Sequence, residues 1–194
     1  MSELLNSERP MRADARRNRL RILQAARELF ASDQPDVQMD DVARRAGVGV
    51  GTVYRHFPDK QALMGELVRE RFGFFNETLA GALADEGADP FEALAGALRT
   101  TAGSMADDAA TRFAFTSGGE GVFAHAAEEM VMFTDLSATL VARAKVAGEL
   151  MPEFQAEDIP MLMCGVCAAI DKRHPGWDWR HHLELILRGM RAGP

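Results

Sequence analysis

A chain of 194 residues with a hydrophobic share of 47% can bury a real core and is too apolar to be disordered. Its net charge of −7 argues at first sight against a nucleic-acid partner, but residues 1–60 carry 11 Arg and Lys against 9 Asp and Glu, leaving 11 against 20 in residues 61–194. Two cysteines, no apolar leader and no apolar run of about 18 residues point to a soluble, cytoplasmic chain with no membrane partner. Gly and Pro fall mostly between periodic segments, so an all-α fold without strands is expected.

In chain order, Met1 to Arg9 reads as a frayed tail and Arg12 to Ser32 as the first helix. Leu20, Ile22, Leu23, Ala26, Leu29 and Phe30 mark its inner face, with Arg16, Arg17, Arg19 and Arg27 in water. Seven arginines lie between Arg9 and Arg27 with Asp14 the only acid among them, a density that suits phosphate contact or a solvated face. Asp33-Gln34-Pro35-Asp36 is a loop. The stretch Val37 to Lys60 then reads as two short helices: Val42, Ala43 and Ala46 share a face, Gly47 ends the first helix in the left-handed conformation, and Val53 and Phe57 mark the inner face of the second. This is a helix-turn-helix layout.

The run Asp41-Val42-Ala43, Ala46-Gly47-Val48, Gly51-Thr52-Val53-Tyr54-Arg55-His56-Phe57 and Lys60 resembles the DNA-binding signature of the TetR family of bacterial transcriptional regulators. The likeness extends from about Arg12 to Leu67; beyond it the chain is similar only in length and helical pattern. It implies that the first helix supports the motif, with Arg16 or Arg17 approaching the DNA backbone. Two residues depart from the pattern. Gln38 stands where members often have a capping Ser or Thr, helped only by Asp40 and Asp41 against the helix dipole, and Gly49 replaces a frequent Ser, so no hydroxyl is offered there. Thr52, Tyr54 and Lys60 suit phosphate oxygens, which set register. Val50, Arg55 and Arg44 are candidates to meet base edges, and Gly51 lets backbone approach closely. His56 either joins that surface or packs beside Phe57.

Phe57-Pro58-Asp59 ends the second motif helix, and Asp59 can cap the next. Leu63, Met64, Leu67, Val68, Phe75 and Leu79 predict a long helix that resembles the family's connecting helix. The expected domains are residues 1–58, a three-helix DNA-binding part, and 59–194, a helical effector-binding and dimerisation part. Asp89-Pro90 with Glu92 starts another helix, running to about Met105 with Phe91, Leu94, Leu98, Ala102 and Met105 buried. Arg112 to Phe133, broken at Gly118-Gly119-Glu120-Gly121, is either a bent helix or a loop over a cavity, followed by a helix to about Leu150. Phe75, Phe113, Phe115, Phe123, Met130, Phe133, Met163 and Cys164 are candidate walls of an effector pocket, with Glu128, Glu129 or Asp135 as partners for a cationic ligand; ordinary core is the alternative.

Ile159 to Ile170 is apolar almost all round and must bury more than one face. After Pro175-Gly176, Trp179, Leu183, Ile186, Leu187 and Met190 give a last amphipathic helix. These two helices resemble the family's dimerisation pair, which makes Met161, Met163, Val166, Ala169, Leu183, Ile186 and Leu187 the expected interface. Cys164 and Cys167 form a lone CxxC with no second pair and no neighbouring cation, a packing feature and not a redox site. Adjacent His181 and His182 point to different faces, so no metal and no cofactor is expected. Without a Gly-rich phosphate loop, a nucleophile elbow or zinc-ligand spacing, an enzyme has no site here. The expected function is a homodimeric repressor, released from a palindromic double-stranded DNA operator by an unknown small-molecule effector. Its recognition helices would enter grooves roughly 34–36 Å apart. The alternatives are an activator with no effector and a helical protein-interaction module.

Overall fold

The computed structural model describes residues 2–32, 36–171 and 176–193, with side chains from residue 13 onward. Of the expected loop Asp33–Asp36, residues 33–35 lie outside them, as does Pro175 of the expected break, while Asp36 is in a turn with φ 59°. Regular structure among the described residues is helical throughout: α1 Ser2–Phe30, α2 Met39–Ala46, α3 Val50–His56, α4 Lys60–Ala84, α5 Pro90–Ala106, α6 Ala109–Ser117, α7 Gly119–Ala124, α8 Ala127–Val146, α9 Asp158–Asp171 and α10 Trp179–Met190. The first helix begins earlier than the sequence pattern suggests, at Ser2. The segment Arg112 to Phe133, read as a bent helix or a loop, is most of α6, then α7 after a break at Gly118, then the first turns of α8, which starts at Ala127, earlier than expected. An isolated antiparallel bridge joins Leu150 to Arg191.

Two compact units share the chain. The first is Met1–Arg69 with Ala109–His125; the second is Glu70–Asp108 with Ala126–Pro194. The unbroken helix α4 contributes its first part to one and its remainder to the other.

In the first unit, the apolar stripe Ile22, Leu23, Ala26 and Phe30 of α1 is buried with Val42, Ala43 and Ala46 of α2, Val53 of α3, Phe57, and Leu63 and Leu67 of α4. Leu20 falls outside that stripe and is exposed, against expectation. Helix α6 packs on α1, where Phe113 stacks on Phe30 with ring centroids 5.6 Å apart. Helix α7 closes on the first part of α4 at Gly65, where a Cβ would sit 2.6 Å from the Cβ of His125. Only glycine admits so close a crossing.

The second unit packs α5 against α8 and α9, with α10 on α9. Leu79, Phe91, Leu94, Leu98, Leu140, Ile159, Leu183 and Leu187 are its fully buried large side chains. As the sequence predicts, Asp89 caps α5 by accepting from the backbone N–H of Glu92 at 2.8 Å, with Pro90 in the first turn. Phe72, Phe75 and Phe133 form an aromatic cluster with centroids 5.5 to 6.0 Å apart. Beside it Asn76 donates its amide to the carbonyl of Glu129 at 3.0 Å. The guanidinium of Arg99 ties α5 to α10 through two hydrogen bonds to Glu184, at 2.6 and 3.0 Å.

Candidate nucleic-acid interface

The turn between α2 and α3 is set by backbone geometry. Gly47 adopts φ 64°, ψ 41°, which an L side chain rarely takes, and its N–H donates back to the carbonyl of Arg44 at 3.2 Å. Arg21 of α1 adds a guanidinium hydrogen bond to the Gly47 carbonyl at 3.3 Å, fixing the turn against the supporting helix. At the start of α2, the backbone N–H of Gln38 donates to the carboxylate of Asp41 at 3.0 Å, so Asp41 supplies a cap beyond its effect on the dipole. Gly49 is extended ahead of α3 and offers no side-chain cap, as expected. Asp59 accepts from the N–H of Ala62 at 2.7 Å and starts α4.

With Val53 and Phe57 buried, the period of α3 turns Val50, Gly51, Tyr54 and Arg55 outward together. A Cβ on Gly51 would meet nothing within 4 Å, so this glycine leaves open space on the outward face. Thr52, His56 and Lys60 are half-buried on the flanks, with the Lys60 ammonium 5.8 Å from the centroid of the Phe30 ring. Arg16, Arg17 and Arg44 are exposed.

The cations of this surface are not bare. Arg17 pairs with Asp14, Arg44 with Asp41 at 3.0 Å, and Arg45 with Glu28, while Arg55 donates through Nε to the carbonyl of Gly51 at 3.1 Å. Gln24 and Arg45 hold the Glu28 carboxyl below its ordinary pKa by hydrogen bonding. Exposed pairs of this kind contribute little to stability and exchange readily for phosphate.

Two of the arginines read as solvated, Arg19 and Arg27, are half-buried. Arg19, read as solvated, pairs with Glu66 of α4 at 2.8 Å and lies over the Phe57 ring at 5.0 Å from its centroid. Burial penalises the Glu66 charge, but Arg69 and Arg19 outweigh it and hold that carboxyl below its usual range. The Arg19–Phe57–Glu66 arrangement thus fixes the end of α3 to α1 and α4. No motif spacing announces it, because its members lie far apart in the chain.

His56 sits beside this arrangement. Desolvation first, then the charges of Arg19 and Arg55, push its pKa below the ordinary value of 6.5. The folded state therefore resists protonation more than the unfolded chain does, and stability falls as pH drops through the window below about 6.5. Thermal melts of wild type and His56→Gln over that window should converge at neutral pH and separate on acidification, with wild type losing more. Parallel curves would show that His56 does not carry the effect.

The residues expected to line one pocket are divided between the units. Phe113, Phe115 and Phe123 belong to the first, where Phe113 stacks on Phe30 and Phe115 meets Phe123 edge-on at 5.6 Å. Phe75, Met130, Phe133, Met163 and Cys164 belong to the second, so no single cluster within either unit gathers all eight. Cys164 is exposed, which corrects its reading as a packed thiol, while Cys167 is half-buried.

The expected interface residues also separate. Val166, Leu183 and Leu187 are buried in the chain's own core and are not available to a partner. Met161 is 81% exposed, and Met163, Ala169 and Ile186 are half-buried. Leu185, which the pattern passed over, is exposed. Among the described residues no helix is long and apolar enough to cross a membrane, and no group of three or more His, Cys, Asp or Glu could hold a metal ion.

A helix-turn-helix whose second helix turns one face outward, carried on an all-helical chain, is the architecture of a class of DNA-binding proteins. Residues 22–67 match the family model for bacterial regulatory proteins of the tetR family. A TetR transcription regulatory protein from Mycobacterium vanbaalenii is 34% identical, over 94% of this chain and 99% of that one, with a TM-score of 0.61. The chain belongs to the TetR family. An HTH-type transcriptional regulator of Staphylococcus aureus is 38% identical over 66 residues, 34% of this chain and 36% of that protein, so the match spans about a third of the curated relative. The transcriptional regulator FadR from Bacillus subtilis, solved in complex with stearoyl-CoA, shares the fold at 18% identity, over 87% of this chain and 95% of that one, with a TM-score of 0.68.

Proposed function

We propose that the protein is a homodimeric transcriptional repressor. Residues 1–58 would read a palindromic operator, and residues 59–194 would bind a small-molecule effector and form the dimer. The observation that carries the reading is the outward face of α3, on which Val50, Gly51, Tyr54 and Arg55 stand together over a buried Val53 and Phe57. Tyr54, Thr52 and Lys60 position the helix on phosphates, with Arg16 or Arg17 on the backbone beside it. Arg55, Val50 and Arg44 meet base edges, and His56 borders the surface. Binding exchanges the partners of Arg17, Arg44 and Arg55 for DNA, and each phosphate neutralised lowers the affinity at high salt.

Selection of bound sites from random duplexes, followed by anisotropy titrations, tests this reading. Tyr54→Phe and Lys60→Ala should weaken binding to all sequences alike, whereas Arg55→Ala should cost about 1–3 kcal/mol at one base pair and relax the choice there. Unchanged affinity in all three variants would falsify the placement of α3 in the groove. For the dimer, the exposed Met161 replaces the buried Val166 as the informative position. Met161→Glu should remove this dimer and yield monomers in sedimentation of dilute protein, without loss of fold. The FadR complex supports a small molecule as effector in so far as a helical fold of this kind holds one. An effector that prefers a dimer of different half-site separation would weaken operator binding by about 1–3 kcal/mol of coupling.

A further inference from the structure

Helix α8 has an outer face that nothing among the described residues covers. Along its 20 residues Leu140, Val141 and Ala144 are buried, while Val131, Met132, Asp135, Ala138, Thr139, Ala142 and Val146 are exposed. Val131 is 63%, Met132 55% and Val146 90% exposed. A helix that borders water ordinarily turns charge outward, yet between Val131 and Val146 the exposed positions carry one charged residue, Asp135.

The face is ordered in a way that matches its own reverse. Two bulky apolar side chains, Val131 and Met132, project near the N-terminal end. Small residues, Ala138, Thr139 and Ala142, occupy the middle. Near the C-terminal end a shallow groove of about 430 Å³ runs beside Val146, between Pro90 of α5 and Thr139, Ala142 and Arg143 of α8. Charge follows the same order: Glu128 and Glu129 lie in the first turn, and Arg143 and Lys145 in the last.

From this we infer that α8 packs antiparallel on α8 of a second copy of this chain, the two helices crossing at Ala138 and Thr139. At that register Val131 of one copy lies across from Val146 of the other, so each projecting pair enters the partner's groove, and the two-fold axis makes the fit twice. The small middle residues let the helices approach closely. The acidic first turn of each helix comes near the basic last turn of its partner, Asp135 falls beside the partner's Arg143, and the opposed helix dipoles agree. A single helix pair buries less than the roughly 800 Å² per partner of a standard stable interface, so the association is weak and concentration-dependent. It is separate from the dimer of the proposed function and would join such dimers in pairs.

Sedimentation velocity of the full chain over a wide concentration range tests the contact, with circular dichroism to check the fold of each variant. Wild type should show a concentration-dependent step that Ala138→Glu weakens about tenfold or more, by setting like charges against each other at the crossing. Lys145→Glu should weaken the same step, and adding Glu128→Lys should restore it. Met161→Glu should leave this step in place while removing the other, so an unchanged Met161→Glu protein overturns the α9–α10 dimer and not the α8 contact. As an independent measurement, Ala138→Cys in a Cys164→Ser, Cys167→Ser background should cross-link to a dimer with a short bismaleimide. A folded Ala138→Glu protein that associates like wild type, or a Met161→Glu protein that stays monomeric at every concentration, overturns the inference.

Discussion

Gly65→Ala is expected to destabilise the first unit by about 1–3 kcal/mol, the range for a methyl forced into a packed site. The sign is the informative part. In an open helix position the same change stabilises by about 1 kcal/mol, because alanine loses less backbone entropy than glycine. At Gly65 the new methyl would lie 2.6 Å from Cβ and 2.8 Å from Cγ of His125, and 3.0 Å from the carbonyl oxygen of Val122. The nearest of these is held by the chain and not the free end of a flexible side chain. Gly81 of the same helix is the control, since a Cβ there meets nothing within 4 Å. Thermal melts should show Gly65→Ala below wild type and Gly81→Ala at or above it. A Gly65→Ala protein as stable as the control would mean that α7 does not close on α4.

The second large effect is at Phe57. Its ring is buried at the end of α3, with the Arg19 guanidinium over it. Truncation to alanine removes a core aromatic and the surface on which Arg19 rests, and is expected to cost about 3–5 kcal/mol in urea denaturation. Because Phe57 also sets the direction in which α3 leaves the core, DNA affinity should fall for every sequence alike, even under conditions in which the variant is folded. Phe57→Leu, which keeps most of the apolar volume, should recover much of the stability. A stable Phe57→Ala protein with full affinity would place the support of α3 elsewhere.

Both variants probe packing, yet only one of the two positions stood out in the sequence. Phe57 was legible because it follows Val53 at helical spacing beside the polar Tyr54, Arg55 and His56, and Gly47 because a helix that must turn sharply needs a residue tolerant of positive φ. Asp89-Pro90 likewise combines a cap with a residue suited only to a first turn. Gly65 gave no such signal: its role depends on His125, brought near by packing across a long stretch of chain. The same holds for Phe30 with Phe113 and for Arg19 with Glu66. In α9 the difficulty was different. A helix apolar all round has no phase, so the pattern could not say that Val166 faces inward and Met161 outward.

The order in which the chain visits its two units has a practical consequence for dissecting the protein. The boundary is crossed at Arg69–Glu70, at Asp108–Ala109 and again at His125–Ala126. A fragment cut after α3 therefore lacks α4, α6 and α7 and strips Phe30 of the ring stacked on it, and one cut after Arg69 still lacks α6 and α7 and leaves Gly65 without the helix that closes on it. Such a fragment is a truncated domain. A minimal DNA-binding piece needs residues 109–125 grafted back through an engineered loop, and its folding should depend on that graft.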